Sequence, residues 1–295
     1  MNDRLAILAL VAAIAAPAAA AKEPLRLAPS SKWHVNYAPD SCRLARSFGT
    51  GDEEVLLLLD RFQPGPRVNM TLVGNPLKVR SDNRRITLRF GPGDQPFDKA
   101  FEPATVESGK AALVLVGGFF ITGHDPAWAA ADREDDGTQP LPVVDPALYD
   151  AIEYLELRIP GKQTVVLESG PMRAAERALA ACTDDLLRGW GIDVAAHRTL
   201  SRRAVPVGNP GKWLSSSDYP SEMRWEGRQG LVFFRLVVDR EGKPASCHIQ
   251  QSTRPQAFDD AVCRGIMNRA RFTPALDAGG QPITSYYLNS VRFMM

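Results

Sequence analysis

Apolar and polar positions alternate in short bursts through the first half of the chain. "WHVNYA" (33–38), "EEVLLLLDRF" (53–62), "VNMTLVG" (68–74), "RRITLRFG" (84–91) and "ALVLVGGFFI" (112–121) are leucine-rich, β-branched or aromatic runs. Each is bounded by Gly, Pro, Asp or Asn, a pattern that predicts strands. "EYLELRI" (153–159) and "QTVVLES" (163–169) flank Pro160-Gly161 and predict a hairpin. The period then changes. In "GPMRAAERALAACTDDLLRGWGID", Leu179, Cys182 and Leu186 recur at helical spacing. Pro171 suits the first turn of that helix, and Gly189 or Gly191 its end. Residues 194–212 hold Pro, Gly and polar residues with weak periodicity, and are expected to link two domains.

The last 80 residues return to strands. In "GLVFFRLVVD" (230–239), Val232, Phe234, Leu236 and Val238 share one face. Leu231, Phe233, Arg235 and Val237 share the other, which is unusually apolar for a side open to water. "REGK" places Gly242 where a tight turn needs positive φ. In the returning "PASCHIQQS", Cys247 and Ile249 lie on one face and His248 and Gln250 on the other. "AFDDAVCRGIMNRARF" (257–272) predicts a helix with Phe258, Val262 and Ile266 on its stripe and Cys263 at the border. Asp218 before Tyr219-Pro220 predicts a short earlier helix, and "ITSYYLNSVRF" (283–293) a closing strand. The expected fold class is α+β. A strand-rich domain over 32–193 ends in a helix, and a small domain over 213–295 has a three-stranded antiparallel sheet and two helices.

The opening "MNDRLAILALVAAIAAPAAAAKEP" changes the picture of where this chain works. Leu5 to Ala21 is uncharged and apolar, Pro17 interrupts it, and a small-residue tract follows. That is the layout of a secretory signal peptide over 1–21, cleaved before Lys22. The competing expectation is an uncleaved membrane anchor, although about 17 residues is short for a span. Net charge is +1, so no bulk attraction to nucleic acid follows.

Four cysteines, Cys42, Cys182, Cys247 and Cys263, suit disulfides in an exported protein and allow three connectivities. Cys42 alternates with Leu44 on a strand's inner face, and Cys182 lies on the buried face of a helix. That layout favours Cys42–Cys182, with two buried thiols as the alternative. His248 beside Cys247 points to the opposite strand face, so a zinc site is not expected. "DREDD" (132–136) lacks the alternating spacing of a calcium loop and reads as a solvated turn. No histidine lies in H-E-x-x-H and no serine in G-x-S-x-G. His124 in "GHDP" is the one histidine in a Gly-rich loop beside a carboxylate, and reads as a surface turn. Neither an enzyme nor a cofactor is expected.

The last segment resembles the C-terminal domain of TonB energy transducers. The matching series is Tyr219-Pro220, then Glu226-Gly227 and Gly230 leading into Leu231–Asp239, then Gly242, the "QS" after the second strand, and Phe258. "RARFTPA" (269–275), Gly280, Pro282 and a strand ending Val291-Arg292-Phe293 complete it. In that fold the hairpin supplies two strands with the second helix over Cys247, so a Cys247–Cys263 bond is in reach. These cysteines are not part of the family pattern, and free thiols are the alternative. The resemblance implies a periplasmic module that adds a segment of an outer-membrane TonB-dependent receptor, or another envelope protein, to its last strand. Thr284, Tyr286, Leu288, Ser290 and Arg292 are the expected contact positions, with Tyr287, Val291 and Phe293 on the core side. A cover from the first domain is the competing expectation for that edge. A homodimer through the terminal strand is also open to such a chain.

Two departures bear on the role. A transducer keeps an anchored amino-terminal helix carrying a histidine, and residues 1–21 have none. It also has a stiff Pro-rich spacer, whereas residues 194–212 extend at most ~70 Å and are not proline-rich enough to stay extended. The leading expectation is therefore a periplasmic interaction protein. The alternatives are an energy transducer anchored in the inner membrane and, last, a hydrolase in the first domain.

Overall fold

The computed structural model describes residues 22–79, 84–121, 136–138, 143–253 and 255–295. The expected signal segment, His124 and all of "DREDD" except Asp136 lie outside the described residues. Buried apolar side chains form two clusters, one before and one after about residue 200.

The first cluster is enclosed by strands β1 (Leu25–Leu27), β2 (His34–Tyr37), β3 (Cys42–Phe48), β4 (Val55–Arg61), β5 (Arg67–Val73) and β6 (Arg85–Phe90). β7 (Phe97–Thr105), β8 (Ala111–Leu115), β9 (Phe119–Phe120), β10 (Leu155–Arg158) and β11 (Val165–Leu167) complete the 11-stranded sheet. Their order is β1-β11-β10-β6-β7-β8-β5-β4-β3-β2, with β9 beside β5. β1 and β11 run parallel and the other pairs are antiparallel. The sheet curls back on itself. The segment after β1 reaches β3 through a Pro29–Phe48 bridge, and the Gly49 N–H donates to the Ala28 carbonyl at 2.8 Å. Alternate residues such as Leu57 and Leu59, Met70 and Leu72, and Ile86 and Leu88 point inward and are fully buried.

Helix α1 (Pro146–Asp150) precedes β10, and α2 (Arg173–Gly189) follows β11. α2 lays Ala175, Leu179, Cys182 and Leu186 into the core and packs on β2 and β3. There Cys42 bonds Cys182, with Cα atoms 5.9 Å apart, tying a strand to a helix 140 residues later. The buried Arg61 guanidinium donates to both Glu176 carboxylate oxygens at 2.8 and 2.7 Å.

β1 and β7 were not expected from the sequence. β7 is "FDKAFEPAT", largely exposed and holding Pro103. Its first half pairs only with β6 and its second half only with β8. Among the described residues each half thus has one side without a strand, which is where a residue lacking an N–H fits a ladder.

Residues 194–212, expected as a linker, are structured and tied down. Helix α3 (Val194–Arg198) is capped by the Asp193 carboxylate, which accepts from the Ala195 and Ala196 N–H groups. Ser201 and Arg202 bond Leu276, and β12 (Val205–Pro206) pairs with β15 (Phe272–Thr273).

The second cluster holds α4 (Ser221–Trp225), β13 (Gly230–Val238), β14 (Pro244–Ser252), α5 (Gln256–Arg269), the short pair β16 (Ala275–Leu276) and β17 (Pro282–Ile283), and β18 (Ser285–Phe293). The three long strands form an antiparallel sheet in the order β14-β13-β18. Val232, Phe234, Leu236 and Val238 meet Phe258, Val262 and Ile266 of α5. Cys247 of β14 bonds Cys263 of α5, with Cα atoms 5.5 Å apart. Gly242 has φ of 76°, and a Cβ there would lie 1.9 Å from the Phe272 carbonyl oxygen. The hairpin turn is seated against β15 that closely, so it admits no side chain.

Candidate functional site: the free edge of the terminal strand

β18 pairs with β13 over nine residues in unbroken register, from Gly230–Phe293 to Val238–Ser285. Its other edge has no strand partner among the described residues. Which backbone groups face that edge follows from β13. The Leu231 carbonyl accepts from the Thr253 N–H at 3.0 Å, and the Leu231 N–H donates to Thr253 Oγ1 at 2.9 Å. Leu231 therefore points its backbone groups at β14. By the alternation of an antiparallel ladder, Val232, Phe234, Leu236 and Val238 point theirs at β18. Their partners Val291, Asn289, Tyr287 and Ser285 are thereby satisfied. Tyr286, Leu288, Ser290 and Arg292 aim their N–H and C=O groups away from the sheet. β14 is also an outer strand, but Gln250 bulges from its register with β13 and twists it.

One of these outward groups carries a local cap. The Ser290 N–H donates to Asn289 Oδ1 at 2.8 Å, and Asn289 Nδ2 donates to the Tyr287 hydroxyl at 2.7 Å. A side-chain amide thus occupies a donor that an incoming backbone would use. Tyr287 itself packs against Trp213 and Phe272, and burial raises its hydroxyl pKa.

The first region covers part of the sheet's outer face. Asp40, between β2 and β3, receives Arg235 Nη1 at 2.8 Å and lies 2.7 Å from His248 Nε2. Gln250 Nε2 contacts the carbonyls of Asp40 and Phe62 at 3.4 and 3.3 Å. The Arg235 guanidinium lies over the Trp190 ring, 4.0 Å from its centroid. Burial lowers its pKa, and Asp40 works against that shift. Tyr286 meets Trp190 edge-on and stacks on His197. Burial pulls the His197 imidazole down to about 4, so it is neutral near pH 7.

The cover is graded. Arg235 and Val237 are buried, whereas Phe233 is 39% exposed. On β18 their cross-strand neighbours follow: Tyr286 and Leu288 are half-buried, and Ser290 and Arg292 exposed. Thr284 lies just before the strand. The apolar outer face read from Leu231, Phe233 and Val237 thus meets the first region at one end and water at the other. The cover lies over the face, and among the described residues no strand pairs with the outer edge of β18. The contributions of Asp40, Trp190 and His197 have no motif in the sequence; the signal for a cover was the apolar outer face of Leu231, Phe233 and Val237.

Two cavities run along the edge. One, about 330 Å³, is lined by Ser285–Leu288, His197, the Gln63–Arg67 turn and residues 203–206. The other, about 550 Å³, follows Asn289–Met294 and is walled by Trp213, Leu214, Ser215, Ser216 and Tyr219. That wall is braced by Arg269, which donates to both Asp218 carboxylate oxygens at 2.8 and 2.7 Å and to the Trp213 carbonyl at 2.6 Å. Arg269, with the Ser215 N–H, holds the Asp218 carboxyl well below the usual carboxylate range. Leu214 comes so near α5 that a Cβ on Gly265 would lie 2.3 Å from its Cδ2. Among the described residues no group of three or more His, Cys, Asp or Glu could hold a metal ion.

The second cluster is thus a small antiparallel sheet backed by a helix, with a terminal strand that pairs without a bulge on one side and has no strand partner on the other among the described residues. Residues 215–295 match the family described as Gram-negative bacterial TonB protein C-terminal, and this stretch is a TonB C-terminal domain. The match covers just over a quarter of the chain. No curated protein matches the chain.

Proposed function

We propose that this chain is a periplasmic, non-enzymatic interaction protein that binds an extended segment of an outer-membrane TonB-dependent receptor, or of another envelope protein, along β18. The supporting observation is the row of outward backbone groups at Tyr286, Leu288, Ser290 and Arg292. Each such N–H and C=O needs a partner when water is excluded, and an added strand supplies partners in register. The two disulfides fit the oxidising cell envelope. Among the described residues no helix is long and apolar enough to cross a membrane.

The test is peptide binding. Ten-residue peptides from the amino-terminal segments of the same bacterium's TonB-dependent receptors are titrated against the full chain by fluorescence anisotropy. Arg292→Pro removes an outward donor and leaves the bonds to β13 intact. It should weaken binding by about tenfold or more at an unchanged unfolding midpoint. Equal affinity in the variant would show that β18 is not the acceptor.

A further inference from the structure

We infer that the first region builds half of the strand-accepting cleft, so that both cores contribute to one binding surface; this rests on the reading of β18 as the acceptor. Along Ser285–Leu288 the edge has two walls. Residues 203–206 stand on the core side, through the pairing of Val205–Pro206 with Phe272–Thr273 and the contact of Phe272 with Tyr287. The Gln63–Arg67 turn stands on the outer side, where Gln250 reaches the Phe62 carbonyl. Along Asn289–Met294 the wall from Trp213 to Tyr219 continues, and the cavity has no lining residue from the first region.

The occupant is an extended peptide main chain, because four outward backbone pairs in a row accept nothing else over that length. The walls then set its side chains. Opposite Tyr286 and Leu288 the peptide is enclosed on both faces, which selects small side chains. Opposite Ser290 and Arg292 its outer face is open, which admits large or acidic ones. The turn is fixed in place, because Asp40, Trp190 and His197 hold the sheet's outer face against the first region.

The experiment uses the full chain and a ten-residue receptor peptide that binds it. Amide hydrogen exchange is read residue by residue with and without peptide, in the wild type and in Gln63→Trp, which projects a ring from the exposed turn into the cleft. The expected result is peptide-induced protection at Tyr286 and Leu288 as well as at Ser290 and Arg292. Gln63→Trp should weaken binding about tenfold and remove protection at Tyr286 and Leu288 while keeping it at the other two. Protection confined to Ser290 and Arg292 in the wild type, or unchanged affinity in Gln63→Trp, would overturn the shared cleft and leave strand addition standing. Absence of protection at all four would remove strand addition itself.

Discussion

His197 shows how one buried side chain makes the contact between the two cores sensitive to acid. Its imidazole is 4% exposed and stacked on Tyr286. Its folded pKa of about 4 lies below the ordinary 6.5 because burial penalises the cation. Between those values the unfolded chain binds the proton and the folded chain does not. Stability is therefore intact above pH 6.5 and falls as pH drops toward 4, by on the order of 3 kcal/mol in all. His197→Phe should flatten that part of a stability profile measured by urea titration from pH 7 to 4.5. An unchanged slope in the variant would place the proton uptake on another group. Asn289 acts on the same scale: without a partner, its amide keeps one edge donor satisfied.

At the scale of elements, the hairpin and its helix carry their own staple. Cys247 and Cys263 are 16 positions apart in sequence. Replacing both by serine should cost about 3 kcal/mol by the chain-entropy argument, read as a lower urea midpoint for the C-terminal core. A change below about 0.5 kcal/mol would mean that the helix needs no tether. Most strands of both sheets and α2 were legible, because their apolar runs are bounded by turn formers or repeat at helical spacing; this bond was in reach only through the fold that the TonB resemblance implied. Cys182 falls in step with Leu179 and Leu186, and Cys247 with Ile249. β7 was not legible, since Asp98, Lys99 and Glu102 are charged and Pro103 is a strand breaker; neighbouring strands decide its conformation. The order of residues in 194–212 looks like a tether, yet its bonds go to Phe272, Thr273 and Leu276, 70 or so positions away. Long-range partners of that kind leave no trace in local pattern. The expected contact positions of β18 came from the resemblance, which pointed to the last strand, and alternation then picked out every second residue. The wall at Gln63–Arg67 was not legible, because nothing near that turn in sequence names β18.

At the scale of the molecule, one carboxylate joins two cores. Asp40 meets cations or donors from both β13 and β14, and Arg235 is buried against it. Asp40→Ala leaves that guanidinium without its counter-charge, although Trp190 still lies over it. The expected loss is about 3 kcal/mol in a urea titration, together with faster amide exchange at Tyr286. A loss within about 0.5 kcal/mol would show that aromatic packing holds the cores together unaided.

The closure of the first sheet also dictates an order of events during synthesis. β1 finds its ladder partner only when Val165–Leu167 has emerged, and Cys42 finds its sulfur partner only when residue 182 has. Until then β6 lacks its neighbour β10 and β1 its neighbour β11. Contacts separated by 140 residues form late and slowly. The newly made chain thus spends its riskiest interval with more than half of its length exposed to mispairing, and β1, Leu25–Leu27, is the last piece of the wall to be fitted.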